Sequence, residues 1–323
     1  MADISQALTS MLVLLIVAAL GFLAAHLKYL TPDFTNRLAK LVLNITLPCT
    51  ILSSVGNMNA ASAGSQLGWA FGLAALTFPL MLLGGVISVA ILRPPRGQRH
   101  MYLYMSVFTN IGFIGIAVAQ SLFGGSAAFI ASIFVAVMNI LLYSAGIIIL
   151  TWGSGSDTSG TGQARKFSAD WKSMVNPPLV SSVLALVLFF TGLQPPGIVE
   201  LTLNTLGPVT APVAMMIVGA MVYDSNLKDV VGEWRMYGFV LIRFLAFPAL
   251  VIAAFGLLVP QVDPLSLGVL VVELAMPVGT MAPAIALIYG QDPDLPLKGL
   301  ILTLLPTFVI VPALVAVMAA FGF

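Results

Sequence analysis

The chain is a succession of apolar stretches that are separated by short polar connections. About 20 apolar residues cross the hydrocarbon core of a bilayer, and ten stretches here have roughly that length. The pattern predicts an all-α membrane protein with ten transmembrane helices, numbered here as spans 1 to 10. The spans lie at roughly 7–27, 34–55, 67–92, 101–122, 127–151, 175–193, 199–222, 235–258, 265–289 and 297–322.

A proline segment repeats at half the chain length. Ile-Thr-Leu-Pro at 45–48 recurs as Val-Thr-Ala-Pro at 209–212, 164 positions later, each within an apolar stretch that the proline interrupts. Three further pairs occur in the same order in both halves of the chain, with offsets of 163 to 169. They are Pro32 and Pro195, Phe78-Pro79 and Phe247-Pro248, and Gly124 and Gly290.

The repeat predicts two five-helix units, residues 1–151 and 174–323, joined by a linker at 152–173. Gly153 to Ser156 open that linker, which reads as a flexible connection. Because five is an odd number, the second unit is expected to lie inverted in the bilayer. Inverted repeats with interrupted helices are typical of secondary transporters.

Basic residues predict the orientation. Of the 13 Lys and Arg residues, 12 fall in the connections after spans 1, 3, 5, 7 and 9, or at the helix edges beside them. Positive connections stay in the cytoplasm, so both termini are expected outside the cell. The 12 residues are Lys28, Arg37, Lys40, Arg93, Arg96, Arg99, Arg165, Lys166, Lys172, Lys228, Arg235 and Lys298.

Composition excludes several classes of function. Hydrophobic residues make up 59% of the chain and charged residues 8%, whereas soluble domains carry about 25% charged residues. The net charge of +1 argues against nucleic acid as a partner, and the single cysteine, Cys49, allows no internal disulfide. No metal-ligand spacing, phosphate loop or nucleophile triad is visible, so we expect neither a cofactor nor an enzyme.

Spans 4 and 9 are the least helix-like. Span 4 contains Thr109, Asn110, Gly112 and Gly115, and span 9 runs from Met276 through Pro277, Gly279 and Thr280 to Pro283. If the two interruptions cross at mid-membrane, half-helix N-termini present free N–H groups there, and the amide and hydroxyls add donors. This arrangement suits a carboxylate. The alternative is that the glycines only allow close helix packing and the prolines only kink.

Three polar residues lie deep within other parts of the spans. Arg243 either holds an anionic substrate or a carboxylate, or extends to the cytoplasmic face. Glu273 either carries a coupling proton, or makes a structural hydrogen bond or faces the outer vestibule. The two are predicted to differ in depth by more than ~10 Å, so no pair is expected. Asn44 either caps the turn broken at Pro48 or faces the transport pathway.

These residues resemble the auxin efflux carrier family, which includes plant PIN proteins and bacterial organic-acid carriers. The resemblance covers nearly the whole chain and is most specific at 41–48, 110–116 and 275–290. It implies two inverted five-helix repeats, a scaffold of spans 1, 2, 6 and 7, and a transport domain of spans 3–5 and 8–10. It also implies substrate at the crossing of spans 4 and 9, elevator-like movement, and a homodimer formed through the scaffold.

Departures from plant members favour a bacterial-type carrier in the inner membrane. Ala117 stands where PIN-type carriers have a proline, Pro283 lies one position late, and the linker lacks the long plant loop. We therefore expect a secondary carrier of small organic anions, such as the dicarboxylates malonate and malate, with protons or sodium as the coupling ion. The alternatives are a sodium-coupled symporter of the bile-acid type, a non-transporting sensor and an intramembrane enzyme.

Overall fold

The computed structural model describes residues 4–57, 63–152, 177–193, 195–224, 232, 234–289 and 291–323. Within these ranges the protein is all helical, and its one β-type contact is an isolated bridge between Thr109 and Val278. The predicted linker at 152–173 lies outside the described residues except for its first position.

The described part of the first half contains eight α-helices. Three short π-helical turns interrupt them, at Val42–Thr46, Ile111–Gly115 and Leu142–Gly146. The helices are α1 Ile4–His26, α2 Pro32–Leu41, α3 Leu47–Ser53, α4 Ala63–Leu92, α5 Arg99–Val107, α6 Ile116–Phe123, α7 Gly125–Leu141 and α8 Ile147–Trp152.

The second half also contains eight α-helices in its described part. A 3₁₀ turn at Gly207–Val209 and a π-helical stretch at Val240–Ala246 each join two consecutive helices into one longer helical segment, called a rod below. The helices are α9 Pro177–Thr191, α10 Gly197–Leu206, α11 Thr210–Asp224, α12 Trp234–Phe239, α13 Phe247–Leu258, α14 Pro264–Ala275, α15 Ala282–Ile288 and α16 Asp294–Ala320.

Six of the resulting rods are long and apolar enough to cross a membrane. Four further apolar helices are shorter, at Ile111–Phe123, Gly125–Leu141, Pro177–Thr191 and Pro264–Ala275. The six long rods are Leu8–His26, Pro32–Gly56, Gln66–Leu92, Gly197–Asp224, Trp234–Leu258 and Asp294–Ala320.

The two copies of the repeated proline segment meet in the fold. The Thr50 hydroxyl, just after Pro48, lies 2.8 Å from the Thr210 hydroxyl and donates to the Gly207 carbonyl at 2.8 Å. The Gly207 carbonyl also accepts the backbone N–H of Thr210 at the end of the 3₁₀ turn, so the Thr50 hydroxyl shares this acceptor. The repeat therefore marks a contact between the helices that carry spans 2 and 7.

Helix α1 packs very closely on α11. A Cβ atom added at Gly219 would collide with the backbone of Ala18, and one at Gly21 with the backbone of Met216. Only glycine leaves room for backbones to approach this closely, as is common between membrane helices. The opposite face of α1 exposes apolar side chains such as Leu12 and Ile16.

The most buried part of the molecule surrounds the broken spans. Every residue of α14 from Ser266 to Ala275 is buried, and so is most of α7. In contrast, α9 and α10 leave large apolar side chains exposed, including Phe190 and Ile198. Helices α5, α7 and α14 thus form the protein interior, and the candidate site lies where they meet.

Candidate substrate site at the crossing of two broken helices

Span 4 is interrupted in its middle. Helix α5 ends at Val107, Phe108 leaves the helical region with φ −87° and ψ 73°, and the π-helical turn begins at Ile111. Two backbone N–H groups, of Ile114 and Gly115, converge on the carbonyl of Asn110. The chain therefore starts a new helix directly after Asn110, with the N-terminus of that helix inside the protein.

Span 9 is interrupted at the corresponding depth. Helix α14 ends at Ala275, and Met276 is extended with φ −64° and ψ 142°, as expected for a residue that precedes proline. Pro277 cannot donate a backbone hydrogen bond to the preceding turn. Helix α15 begins only at Ala282, so the six residues at 276–281 lack regular helical bonding, and the first four of them are buried.

The two interruptions pair with each other. The Asn110 N–H donates to the Pro277 carbonyl at 2.8 Å, and the Gly279 N–H donates to the Phe108 carbonyl at 2.8 Å. This is one rung of an antiparallel ladder, centred on Thr109 and Val278. Each chain thereby satisfies backbone groups that the broken helix of the other leaves unpaired.

Gly279 is needed for this approach. A Cβ atom at position 279 would lie 2.7 Å from a ring carbon of Phe108 and 3.2 Å from its carbonyl oxygen. Contacts that short require the ring and the backbone to move. The glycine in the span 9 motif therefore has a direct geometric role at the crossing.

A cavity of about 260 Å³ opens beside the crossing. Its walls come from the π-helical turn of span 2, both interruptions, α7 and the start of α9. Among the residues that the structure describes, the lining is mainly apolar with a few amides and hydroxyls and no charged side chain. It consists of Leu43, Asn44, Leu47, Phe108, Thr109, Asn110, Ile111, Gly112, Phe113, Val135, Asn139, Leu142, Pro177, Pro178, Gly279, Thr280 and Met281.

The structure divides the predicted site residues into two groups. Six of them line the cavity, namely Asn44, Thr109, Asn110, Gly112, Gly279 and Thr280. The other four, Gly115, Pro277, Arg243 and Glu273, are not in its lining. Pro277 contributes its carbonyl to the crossing and lines a second cavity of about 10 Å³.

Asn110 is the most distinctive polar residue of the lining. Its side chain is only 6% exposed, and its Nδ2 atom has no hydrogen-bond partner among the described residues. A buried donor without a partner costs on the order of 1–3 kcal/mol. Asn110 lines the cavity, but its unpaired Nδ2 atom is almost inaccessible, so a ligand satisfies this donor only when the side chain turns toward the cavity.

Asn44 bonds to its own helix and also lines the cavity. Its Nδ2 atom donates to the Lys40 carbonyl at 2.7 Å, which stabilises the broken turn of span 2. The residue is also exposed and lines the cavity. Its π-helical turn, Val42–Thr46, places it there, and π-helical turns are frequent at functional sites.

Arg243 does not extend to the cytoplasmic face. It is fully buried, and its guanidinium donates to the Leu274 carbonyl at 2.9 Å and the Ser106 carbonyl at 2.6 Å. The guanidinium thus reaches the residue that follows Glu273. The long side chain thus reaches the backbone of span 9, but among the described residues its hydrogen bonds go to carbonyls and none goes to the Glu273 carboxyl group.

Glu273 is also fully buried, so exposure to an outer vestibule is excluded. Neither carboxyl oxygen has a hydrogen-bond partner among the described residues, which also argues against a structural hydrogen bond. The carboxyl group lies against Gly115, where an added Cβ atom would be 2.5 Å from Oε2. Gly115 therefore provides space for the carboxyl group rather than contact with the cavity.

Sequence reasoning missed two residues of this region. Asn139 lines the cavity, and Thr303 accepts the Val278 N–H at 3.0 Å beside the crossing. Asn139 is the only amide of α7, so the same signal that selected Asn110 was present there. Thr303 had no comparable signal, because threonines in apolar helices commonly bond their own backbone.

A helical protein with apolar spans and a cavity at two paired helix breaks has the features of an integral membrane transporter. The comparison with protein families agrees, since the model described as membrane transport protein matches residues 6–315. The chain belongs to this family, and the sequence-based identification of the auxin efflux carrier family is confirmed.

A curated relative extends this result. An uncharacterized transporter of Methanocaldococcus jannaschii is 26% identical over 307 residues, which cover 90% of this chain and 92% of that protein. Membership in a family of transporters is consistent with the expectation that the protein is not an enzyme. In the described part of the chain, no group of three or more His, Cys, Asp or Glu residues could hold a metal ion.

Proposed function

We propose that the protein is a secondary active transporter of small organic anions that bind in the cavity at the crossing. The observation that carries this proposal is the unpaired amide of Asn110, buried at the cavity wall beside the helix that starts at Ile111. A carboxylate accepts hydrogen bonds without donating any, and helix N-termini favour negative charge. The substrate's carboxylate would therefore pair with the Asn110 amide.

The residues that line the cavity suit a small organic anion. Thr109, Thr280, Asn44 and Asn139 add hydroxyl and amide groups, while the apolar residues exclude water. The absence of a cation from the described lining means that donors and a helix N-terminus alone must stabilise the anion. Dicarboxylates such as malonate and malate fit this chemistry, and we propose them as first candidates.

We further propose ten transmembrane helices in two inverted repeats, with both termini outside the plasma membrane of a bacterial cell. Spans 1, 2, 6 and 7 form the scaffold of a homodimer, and spans 3–5 and 8–10 form the moving transport domain. In this arrangement the cavity lies between the two domains, since Leu43, Asn44 and Leu47 come from the scaffold and residues 108–113 from the transport domain.

The second cavity supports alternating access. It is small and lined by Met11 and Met215 of the scaffold and by Ile114, Pro277 and Thr307 of the transport domain. Elevator-like movement of the transport domain would open this region while closing the larger cavity. Glu273, buried next to Gly115 in the same domain, is proposed to carry the coupling proton.

The substrate class is tested by a thermal-shift screen of organic acids on the purified protein in detergent. A ligand that binds only the folded state stabilises it by mass action, and this raises the melting temperature. At a ligand concentration of 100 times Kd, the free energy of unfolding increases by about 2.7 kcal/mol. We expect dicarboxylates to stabilise the protein and matched amides or alcohols to have no effect. Stabilisation by sodium together with bile-acid-like steroids, and by none of the small dicarboxylates, would favour the bile-acid-type symporter instead.

Asn110→Ala tests the site directly. We expect loss of uptake into proteoliposomes and loss of the ligand-induced thermal shift, because the variant lacks the amide that pairs with the carboxylate. The melting temperature without ligand should not fall, since the Asn110 Nδ2 atom has no partner to lose. Asn204→Ala, an exposed amide on α10, is the matched control. Normal uptake by Asn110→Ala would refute the site assignment.

A further inference from the structure

Two carbonyl groups at the crossing have lost the partners that a continuous helix would supply. In an unbroken helix the Ser106 carbonyl would accept the Asn110 N–H, and the Leu274 carbonyl would accept the Val278 N–H. Here the Asn110 N–H donates to Pro277 instead, and the Val278 N–H donates to the Thr303 hydroxyl. The breaks therefore leave carbonyls at the ends of α5 and α14 without their helical donors, and those of Ser106 and Leu274 are among them.

Arg243 supplies both missing donors. One terminal nitrogen donates to the Ser106 carbonyl at 2.6 Å, and the other donates to the Leu274 carbonyl at 2.9 Å. These carbonyls belong to two different half-helices, which enter the crossing from separate parts of the chain. A single guanidinium thus joins the C-terminal ends of both.

The charge of the guanidinium is matched by the same two helix ends. Each helix C-terminus carries the equivalent of about −0.5 charge, so two ends together offset about one positive charge. This explains how a fully buried arginine can lie in the protein with no carboxylate partner among the residues that the structure describes. The Phe244 ring adds a cation–π contact, with its centroid 5.0 Å from Cζ.

The surrounding helices are shaped for this side chain. A Cβ atom at Gly84 of α4 would lie 2.9 Å from Cδ of Arg243, and one at Gly85 would lie 2.7 Å from Cβ of Ser106. The arginine itself lies in the π-helical stretch Val240–Ala246, a local form that is frequent at functional sites. Helix α4, the π-helical stretch and both half-helices together form a built cradle.

We infer that Arg243 is a positioning residue that holds the two broken helices in register, so that Thr109 and Val278 stay paired beside the substrate cavity. It acts on the substrate through the backbone of the crossing and does not touch it, because it is absent from the cavity lining. The consequence for substrate binding depends on the proposed function, whereas the geometric role does not.

The test uses a disulfide reporter that needs no substrate. Thr109 and Val278 form a non-hydrogen-bonded antiparallel pair, for which Cα atoms are typically about 4.5 Å apart, within the range that a disulfide bridges. Thr109→Cys and Val278→Cys are introduced with Cys49→Ser, and the rate of cross-linking under mild oxidation is measured in detergent. A second reporter, Thr50→Cys with Thr210→Cys, lies at the contact of the repeated segments.

Arg243→Met is expected to slow cross-linking at the crossing by about tenfold or more, since a charge-assisted hydrogen bond contributes at least about that factor to an equilibrium. The Thr50/Thr210 reporter should keep its rate. Arg243→Lys retains the charge and should give partial recovery. Arg235→Met, in the same rod but stacked on Trp234, is the matched control and should behave as the parent.

The outcomes separate the alternatives. An unchanged rate at the crossing in Arg243→Met refutes the inference, and an equal slowing of both reporters shows that Arg243 acts on the whole fold. If Arg243→Met does not fold, Gly84→Ala, which displaces the arginine stem, must slow the crossing reporter selectively. A failure of all organic acids to bind would refute the proposed function and leave these cross-linking results intact.

Discussion

Thr303 provides a sharp test of how the crossing is stabilised. Its hydroxyl accepts the Val278 N–H at 3.0 Å and donates to the Gly299 carbonyl at 2.7 Å, and the residue is 1% exposed. Thr303→Val keeps the shape of the side chain but removes the acceptor. The Val278 N–H is then buried without a partner, because the helix break has already removed its intrahelical acceptor.

The expected cost follows from that unpaired donor. Leaving a buried N–H unsatisfied costs about 1–3 kcal/mol, so the free energy of unfolding should fall by about 2 kcal/mol. Thr307→Val is the matched control, one turn further along α16 and also buried. Its hydroxyl only donates to the Thr303 carbonyl, at 2.8 Å. That loss should cost less than about 1 kcal/mol, since the carbonyl remains an acceptor in the helix.

The assay is denaturant-induced unfolding of both variants and the parent in the same detergent, followed by helical circular dichroism. The crossing reporter described for Arg243 gives a second, local measurement. Equal destabilisation by the two substitutions would refute the argument, because it would show that the Val278 hydrogen bond contributes no more than an ordinary hydroxyl-to-backbone contact. A larger effect of Thr307→Val would refute it more strongly.

Two further predictions concern proton coupling and helix packing. Glu273→Gln should change the pH dependence of uptake, because a buried carboxyl without hydrogen-bond partners can gain and lose a proton and an amide cannot; an identical pH profile would remove Glu273 from the coupling role. Gly219→Ala should lower the melting temperature, at a cost of about 1–3 kcal/mol, because its Cβ atom would collide with the Ala18 backbone. Gly72→Ala, in open space on α4, is the control, and equal melting temperatures would contradict the packing argument.

Much of the candidate site could be predicted because broken membrane helices have strong local signals. Pro277 and Gly279 interrupt a long apolar run, and Asn110 is an amide where an apolar residue is expected. Such residues are costly in a lipid-facing helix, so their presence indicates a site inside the protein. Asn139 carried a weaker form of the same signal and lines the same cavity.

The role of Arg243 could not be predicted in the same way. The sequence shows a positive charge within span 8 but not what it binds. The side chain could hold an anionic substrate or a carboxylate, or extend to the cytoplasmic face. Its partners are backbone carbonyls of Ser106 and Leu274, and carbonyls are present at every position of every chain. Which carbonyls lack a partner depends on where the helices break and on which backbone N–H groups form hydrogen bonds across the crossing.

The amino-acid sequence by itself determined the class of protein, the apolar spans and the places where helices break. These follow from local properties, namely the length of apolar runs and the missing N–H group of proline. The tertiary structure alone decided that the two breaks pair through Thr109 and Val278, and that one arginine joins their ends. Hydrogen bonds between separate helices, 31 and 137 positions apart for the two bonds of Arg243, depend on the relative placement of whole helices, which local sequence does not encode.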